Sequence, residues 1–286
     1  MDSVPYCFCF EVLRNLFIDD VDYIESYFGG IWKAAAKNIQ RGAIKLYILS
    51  TETSLQYYFT LSSNCPQLDQ KNNYSIDQLE TLRVTNIRIA DVTIGNNGNV
   101  KHFAEDGSWE ADFGKGSRLV KFILRNLQRK NAWIHLCHAG ETQEVHRQVL
   151  EFFSRIFFDR ISIIYNSEVT DRFLRAQLNN HNIRNLLLTG KWKSTVKEDL
   201  ENYILNNDLQ SFSLTRVADF GLDVAAIRRF AQNKKYKKYS IRAPFRISEE
   251  DVDKDHFADC FHMNKYPLSA NVTEVDASFD RELQRE

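Results

Sequence analysis

An apolar pattern that recurs every 25 to 27 residues constrains the fold of this chain more than any other feature of its sequence. The pattern is Φ-x-x-Φ-x-Φ, where Φ is an apolar residue, and its four copies run from Phe158 to Ile163, Ile183 to Leu188, Leu209 to Leu214 and Tyr236 to Ile241. A weaker copy, Ile134-x-Leu136, begins 27 residues before Ile161. Periods of roughly 20–50 residues are typical of proteins that stack one structural unit repeatedly. We therefore expect a stacked array between residues 131 and 243.

A second set of apolar residues lies between these segments at helical spacing. The predicted helices run from Val145 to Ile156, Val169 to Leu178, Val196 to Ile204 and Val224 to Phe230. A residue that can cap a helix precedes each of them, namely Thr142, Ser167, Ser194 and Asp223. Each unit is therefore predicted to be a short strand followed by a helix.

The strand pattern and the period resemble those of leucine-rich repeats. The resemblance implies irregular strand–helix units, here over residues 131–253, whose strands form one curved parallel sheet. Leucine-rich repeats place an asparagine three residues after the last strand position, and this chain has one only at Asn166. An ordinary α/β domain with units of similar length is the alternative. In both cases the predicted fold class is α/β.

The N-terminal block, residues 1–49, has apolar residues at helical spacing among acidic ones and predicts two or three short helices. It opens with Val4-Pro5, and Trp32 follows 27 residues after Pro5. In this order the residues resemble the F-box, a helical module that begins with a Leu-Pro-like dipeptide and carries a tryptophan near its end. Gly29-Gly30 departs from the family, which keeps a continuous helix at that point.

F-box proteins with leucine-rich repeats are substrate receptors of cullin-based, SCF-type ubiquitin ligases. The resemblance implies that a Skp-type adaptor binds the block through Pro5, Leu13, Leu16, Ile24 and Trp32. It also implies that the repeats bind a protein substrate and that the chain is a monomer within the complex. Two alternatives stay open: the block is a helical cap on the repeat array, or the chain is an interaction scaffold with no ligase partner.

Alternation within each predicted strand indicates which residues a partner would meet, because neighbouring side chains point to opposite faces. The predicted partner-binding residues are Trp133, His135, Arg160, Asn185, Leu187, Lys238 and Arg242. One end of this face is aromatic, the middle is small and hydroxylic, and the other end is basic. We therefore expect an extended partner with an apolar anchor and an acidic segment. The alternative is that another part of the chain covers the face.

Two further regions complete the predicted organisation. Residues 50–130 are predicted to connect the block to the array, through a polar linker at 62–78 and a loop at 95–117. Residues 254–286 are predicted to be a polar C-terminal tail.

Composition and motifs exclude several classes of function. Lys and Arg (37) nearly balance Asp and Glu (38), so the sequence lacks the excess of positive charge that general nucleic-acid-binding proteins carry. No stretch reaches the roughly 18 apolar residues of a membrane span. Five cysteines at irregular spacing favour a reducing compartment, cytoplasm or nucleus. We expect neither a nucleic acid nor a membrane among the partners.

The sequence offers no catalytic motif. His135, Cys137 and His138 come nearest to a metal cluster, but no C-x-x-C pair accompanies them. Asp251, Asp253 and Asp255 imitate the start of an EF-hand loop, yet histidines take the positions of its glycine and glutamate. We therefore expect no enzymatic activity, no catalytic residue, no metal and no cofactor.

Overall fold

A computed structural model of the chain describes residues 5–14, 27–38, 41–50, 54–61, 73–81, 86–96, 107–127, 132–137, 143–165, 167–215, 220–232, 238–246, 262–269 and 272–280. The chain divides into two compact units. The first, here called the N-terminal unit, comprises Met1–Ile48, Gln56–Val92 and Lys101–Gln128. The second, here called the repeat unit, comprises Leu49–Leu55, Thr93–Val100 and Arg129–Glu286.

The N-terminal unit combines short helices with a small sheet. Its helices are α1 (Tyr6–Arg14), α2 (Gly30–Asn38), α3 (Ile76–Thr81) and α4 (Arg118–Asn126), and its strands are β1 (Arg41–Ser50), β2 (Leu55–Leu61), β3 (Asn86–Asn96) and β4 (Trp109–Glu110). The strands lie in the order β3-β1-β2-β4. Phe59 of β2 meets Phe122 of α4 edge to face at 5.2 Å, and both side chains are buried. Aromatic burial of this kind supplies much of the unit's core.

The described residues between 50 and 130 form strands and helices of their own, which differs from the predicted connecting region. They contribute β2, α3, β3, β4 and α4. The apolar residues of β2, such as Tyr58 and Phe59, are buried on both faces, so the strand lacks the alternation that would reveal it. Most of the predicted linker (62–72) and part of the predicted loop (97–106) lie outside the described residues.

The repeat unit contains the predicted strand–helix units in chain order. Its first strands are β5 (Trp133–Leu136), β6 (Arg160–Ile164), β7 (Asn185–Thr189), β8 (Ser211–Thr215) and β9 (Lys238–Phe245), joined through α5 (Gln143–Phe153), α6 (Glu168–Leu178), α7 (Lys197–Asn206) and α8 (Val224–Ala231). Neighbouring strands are parallel from β5 to β9. Ser167 and Asp223 lie at the caps of α6 and α8, as predicted, and Ser194 begins a 3₁₀ turn before α7.

The apolar positions of the repeat lie side by side across these strands. Ile163 is opposite Leu188, and Leu188 is opposite Leu214. All of these and Ile241 are buried, which confirms the prediction of buried residues on neighbouring parallel strands. The last copy is offset by two residues, because Ile241 pairs with Phe212 and not with Leu214. Burial of Tyr239, Ile241 and Ala243 alike makes both registers compatible with the pattern.

The helices of the repeat unit cover one face of its parallel strands. Right-handed crossovers between strands in chain order place every connecting helix on the same face. Consistent with this, α5 packs on α6, α6 on α7, and α7 on α8. Alternate strand residues are buried, and the residues between them keep partial or full exposure. The side chains opposite the helices form what we call the open face.

The predicted C-terminal tail contributes two strands to the repeat unit. These are β10 (His262–Ser269) and β11 (Val272–Asp280), which pair antiparallel with each other, while β11 pairs antiparallel with β9. Val275 and Ala277 of β11 are buried, but they are small and separated by polar residues. Such a weak apolar alternation explains why no strand is predicted here from the sequence. The fold is thus α/β with a large mixed sheet.

Candidate functional site

The parallel register arranges the open face in rows that cross the strands. The first row runs through Trp133, Arg160, Asn185, Ser211 and Ser240. The second runs through His135, Ser162, Leu187, Ser213 and Arg242. Neighbouring strands are about 4.8 Å apart, so side chains within a row are close enough to bind one ligand together. Six of the seven predicted partner-binding residues fall in these two rows, and Lys238 begins β9 on the same face.

The aromatic end of the open face is a stack of three side chains. The rings of Trp133 and His135 lie 4.6 Å apart at an angle of 32°. The guanidinium carbon of Arg160 lies 5.7 Å from the centre of the Trp133 ring. A cation at this distance from an indole is attracted by the ring. Trp133 therefore holds the Arg160 side chain in place on the sheet.

Two polar atoms beside this stack have no hydrogen-bond partner. They are Nε of Arg160, a donor, and Oδ1 of Asn185, an acceptor, and both atoms are out of contact with solvent. The two residues are direct neighbours on β6 and β7. A buried polar atom without a partner costs about 1–3 kcal/mol. A ligand whose binding uncovers these two atoms and supplies both an acceptor and a donor would recover that free energy.

The middle of the face is small and hydroxylic, with one apolar exception. Ser211 Oγ lies 3.2 Å from Ser240 Oγ, and Thr189 Oγ1 lies 3.4 Å from Thr215 Oγ1. Leu187 is 39% exposed between them. The strand positions of these residues were predicted correctly, because alternation alone determines the face.

The basic end combines Lys238 and Arg242, which are both exposed. Arg242 Nη1 lies 3.8 Å from Asp276 Oδ2 of β11, which is its cross-strand neighbour. Asp276 is not among the predicted site residues, since it lies in the segment that was predicted to be a tail. In the same register Asp280 stands opposite Lys238, so the acidic residues of β11 equal the two cations of this end in number.

The predicted adaptor-binding residues do not form one exposed surface. Leu13 is fully buried with Cys9 against Ala35 and Ala36, and Trp32 packs against this cluster. Pro5 is exposed and directly precedes α1. Leu16 and Ile24 lie outside the described residues. Phe8, on the turn of α1 after Pro5, is 55% exposed and was not singled out by the sequence.

A buried polar network holds the loops that enter the strands. Gln177 Nε2 donates to the carbonyl oxygens of Phe153 (3.3 Å) and Ile156 (2.9 Å), and its Oε1 accepts from Phe158 N at 3.3 Å. Asn180 Nδ2 donates to the Phe158 carbonyl at 2.8 Å. These bonds join α5, α6 and the start of β6, where Arg160 stands. They stabilise the contacts between successive units.

The histidines and cysteines that came nearest to a metal-binding motif in the sequence do not form a metal site among the described residues. His135 and Cys137 are partly exposed, His138 lies outside the described residues, and Cys7 and Cys9 are free thiols. Across the described ranges, no three His, Cys, Asp or Glu side chains are grouped so that they could hold a metal ion. Asp251, Asp253 and Asp255 are not among the described residues. In that same part of the chain, no helix is both long and apolar enough to cross a membrane.

The chain matches no protein-family model, no curated protein and no solved structure.

Proposed function

We propose that this chain is a non-catalytic protein-recognition adaptor that serves as the substrate receptor of an SCF-type, cullin-based ubiquitin ligase. In this proposal the open face binds the protein substrate, and the N-terminal helices bind a Skp-type adaptor. The observation that carries it is the open face itself, on which five parallel strands present two rows of side chains opposite their helices. Arg and Trp side chains, which anchor many interfaces, lie together at one end of it.

The one-sided helix layer supports the more specific proposal that the units are irregular leucine-rich-repeat-like units. The apolar strand residues of each unit are buried, and its strand and helix contact those of the next unit, as in stacked repeats. Gln177, Asn180 and Tyr203 join successive units by side-chain hydrogen bonds to backbone atoms. A repeat of this kind leaves the opposite strand face available to a partner.

The ligase half of the proposal depends on the order of Pro5, an apolar helix and Trp32. Since Leu13 is used inside the α1–α2 pair, adaptor contact would have to come from exposed side chains. Phe8 and Pro5 are the described candidates, because they are adjacent in the first turn and both are exposed.

The alternative is an interaction scaffold without a ligase partner. Burial of Leu13 favours it, since α1 and α2 then serve to close each other's apolar faces. Both proposals share the recognition face and differ only in what binds the N-terminal helices.

A binding experiment with purified proteins separates the two. The full chain is mixed with a purified Skp-type adaptor and analysed by size-exclusion chromatography. We expect a complex with the wild type and its loss with Phe8→Asp, because a charge in an apolar interface is desolvated without a partner. Leu124→Asp is the matched control, since Leu124 on α4 is also an exposed apolar side chain. Absence of any wild-type complex would favour the scaffold.

A further inference from the structure

We infer that the open face binds an extended, acidic segment of the partner protein, and that Arg160 holds one of its carboxylates. The inference rests on the proposed recognition function and adds the chemistry of the partner. It is carried by the position of Arg160, by the pair of unpartnered atoms beside it, and by the charge and size of the face.

Arg160 is preorganised for a carboxylate. Contact with the Trp133 ring at 5.7 Å fixes its guanidinium group against the sheet. Its Nε–H group has no partner, although the atom is out of contact with solvent. Nε and one Nη of an arginine form a planar fork that matches the two oxygens of a carboxylate. A lysine at this position would offer one point charge and no fork.

Asn185 adds a requirement for a donor. Its Oδ1 atom is unpartnered and stands one strand away from Arg160 in the same row. An acidic residue in an extended segment supplies both groups, because its side chain accepts from Arg160 and a backbone N–H can donate to Asn185. The two atoms are therefore satisfied together by one kind of ligand.

The charge around Arg160 favours an acidic residue of the partner. On β5 to β8, the described residues of the face include one cation, Arg160, and no carboxylate. At the other end of the face, Lys238 and Arg242 of β9 stand opposite Asp280 and Asp276 of β11, so that end is close to neutral. Complementary charge selects the partner and speeds its association, whereas a basic segment would be repelled.

The size of the face favours an extended segment over a folded domain. Five strands of about five residues span roughly 20 Å by 16 Å, or about 320 Å². A stable interface between two domains needs about 800 Å² on each partner. Trp133 and Leu187, which are both accessible on this face, can contact apolar side chains that alternate with the acidic ones.

The test uses the full chain and an array of nine-residue peptides. Every peptide that contains Asp or Glu is paired with a copy in which those residues are Asn or Gln. Dissociation constants of the strongest binders are then measured by fluorescence anisotropy. We expect the acidic copies to bind about tenfold or more tightly than their amide copies, with affinity falling as salt is raised.

Variants assign the effect to Arg160. Arg160→Gln should weaken the acidic peptides about tenfold and remove their advantage over the amide copies. Arg160→Lys keeps the charge and should give a smaller loss of the same kind. Arg172→Gln removes an exposed arginine from α6 in the helix layer and should change nothing. Thermal unfolding of each variant verifies that it is folded.

Two results would overturn the inference. If acidic and amide peptides bind equally well, the partner chemistry is wrong while the recognition function stands. If a folded Arg160→Gln or Arg160→Lys variant keeps the full preference for acidic peptides, Arg160 is not the carboxylate anchor. If the wild type binds no peptide in the array, the result counts against the inference and against recognition by the open face. The experiment with the Skp-type adaptor then tests the ligase half of the proposed function.

Discussion

Single buried polar residues stabilise the repeat unit at positions where the apolar pattern is interrupted. Gln177 lies one turn after Phe173 on α6, where helical spacing predicts an apolar residue, and it is fully buried. Its three hydrogen bonds go to backbone atoms of α5 and of the loop before β6. Periodicity analysis registers such a residue only as an interruption, so the sequence could not reveal its role.

Replacing Gln177 therefore tests whether the network is a main source of stability. Gln177→Leu keeps a similar volume but removes the Gln177 partner of the Ile156 carbonyl and of the Phe158 N–H, while the Phe153 carbonyl keeps its bond from Ile156 N. We expect the free energy of unfolding to fall by about 2–4 kcal/mol, measured by urea denaturation. Gln232→Leu, at the exposed end of α8, is the control and should stay within about 0.5 kcal/mol of the wild type. Equal effects of the two changes would show that the network contributes little.

Asp171 predicts a specific dependence of stability on pH. Burial raises the pKa of its carboxyl above the ordinary 3.8; Arg175 and Lys193 oppose the shift, and Glu168 adds to it. The folded state therefore holds the proton more tightly than the unfolded state does. The contribution of this carboxyl to stability is greatest below pH 3.8 and falls as pH rises through its folded-state pKa, because the folded state then contains an ionised, poorly solvated carboxylate.

Asp171→Asn removes this titration. The difference in unfolding free energy, variant minus wild type, should be more positive at pH 7 than at pH 4, as measured by denaturation at both values. The comparison between the two pH values cancels any pH-independent cost of the substitution. A difference that stays constant or becomes more negative towards pH 7 would contradict the assignment.

At the scale of the element, a strand of the array has two faces with different roles. Leu188 of β7 is fully buried towards the helices, whereas Leu187, its neighbour in sequence, is 39% exposed on the open face. Strand alternation predicted this division correctly. The pairing of Leu188 with Ile163 and Leu214 also follows from the repeat, because equal unit lengths bring equivalent residues into register.

The two leucines provide a matched pair of substitutions. Leu188→Ala should lower the free energy of unfolding by about 2–5 kcal/mol through lost burial and a cavity. Leu187→Ala should cost less than about 1 kcal/mol, because the side chain is already in partial contact with water. Guanidinium denaturation of both variants measures the difference. Similar losses at the two positions would mean that both faces of β7 are buried.

For the whole molecule, the sequence predicts what repeats and misses what does not. The strands and helices of the array follow from the two apolar periodicities, one for strands and one for helices. The predicted register of β9 is two residues off, because Ala243 is too small to be recognised as an apolar position of the pattern. The N-terminal unit has no internal repeat, and the buried aromatic run of β2 resembles neither a regular strand nor a helix. For the site, alternation placed the open-face residues correctly. It could not show that Leu13 packs on α2, because a pattern identifies an apolar face without identifying its partner.

The strand that ends the array depends on the hairpin that the sequence did not predict. β11 pairs with every residue of β9 from Lys238 to Phe245, whereas β8 pairs only with Ser240 to Arg242. Without the hairpin, β9 would present an unpaired edge and lose most of its backbone partners. Exposed strand edges promote pairing between copies of a chain.

Removal of residues 262–286 should therefore lower the melting temperature and cause self-association that increases with protein concentration. Light scattering coupled to size-exclusion chromatography measures the association, and removal of 281–286 alone, which leaves β11 intact, is the control. The control should behave as the full chain does, since every pair between β9 and β11 is kept. The expectation is wrong if the shortened chain stays monomeric and keeps the melting temperature of the full chain. That result would show that β8 alone is sufficient to hold β9 in the sheet.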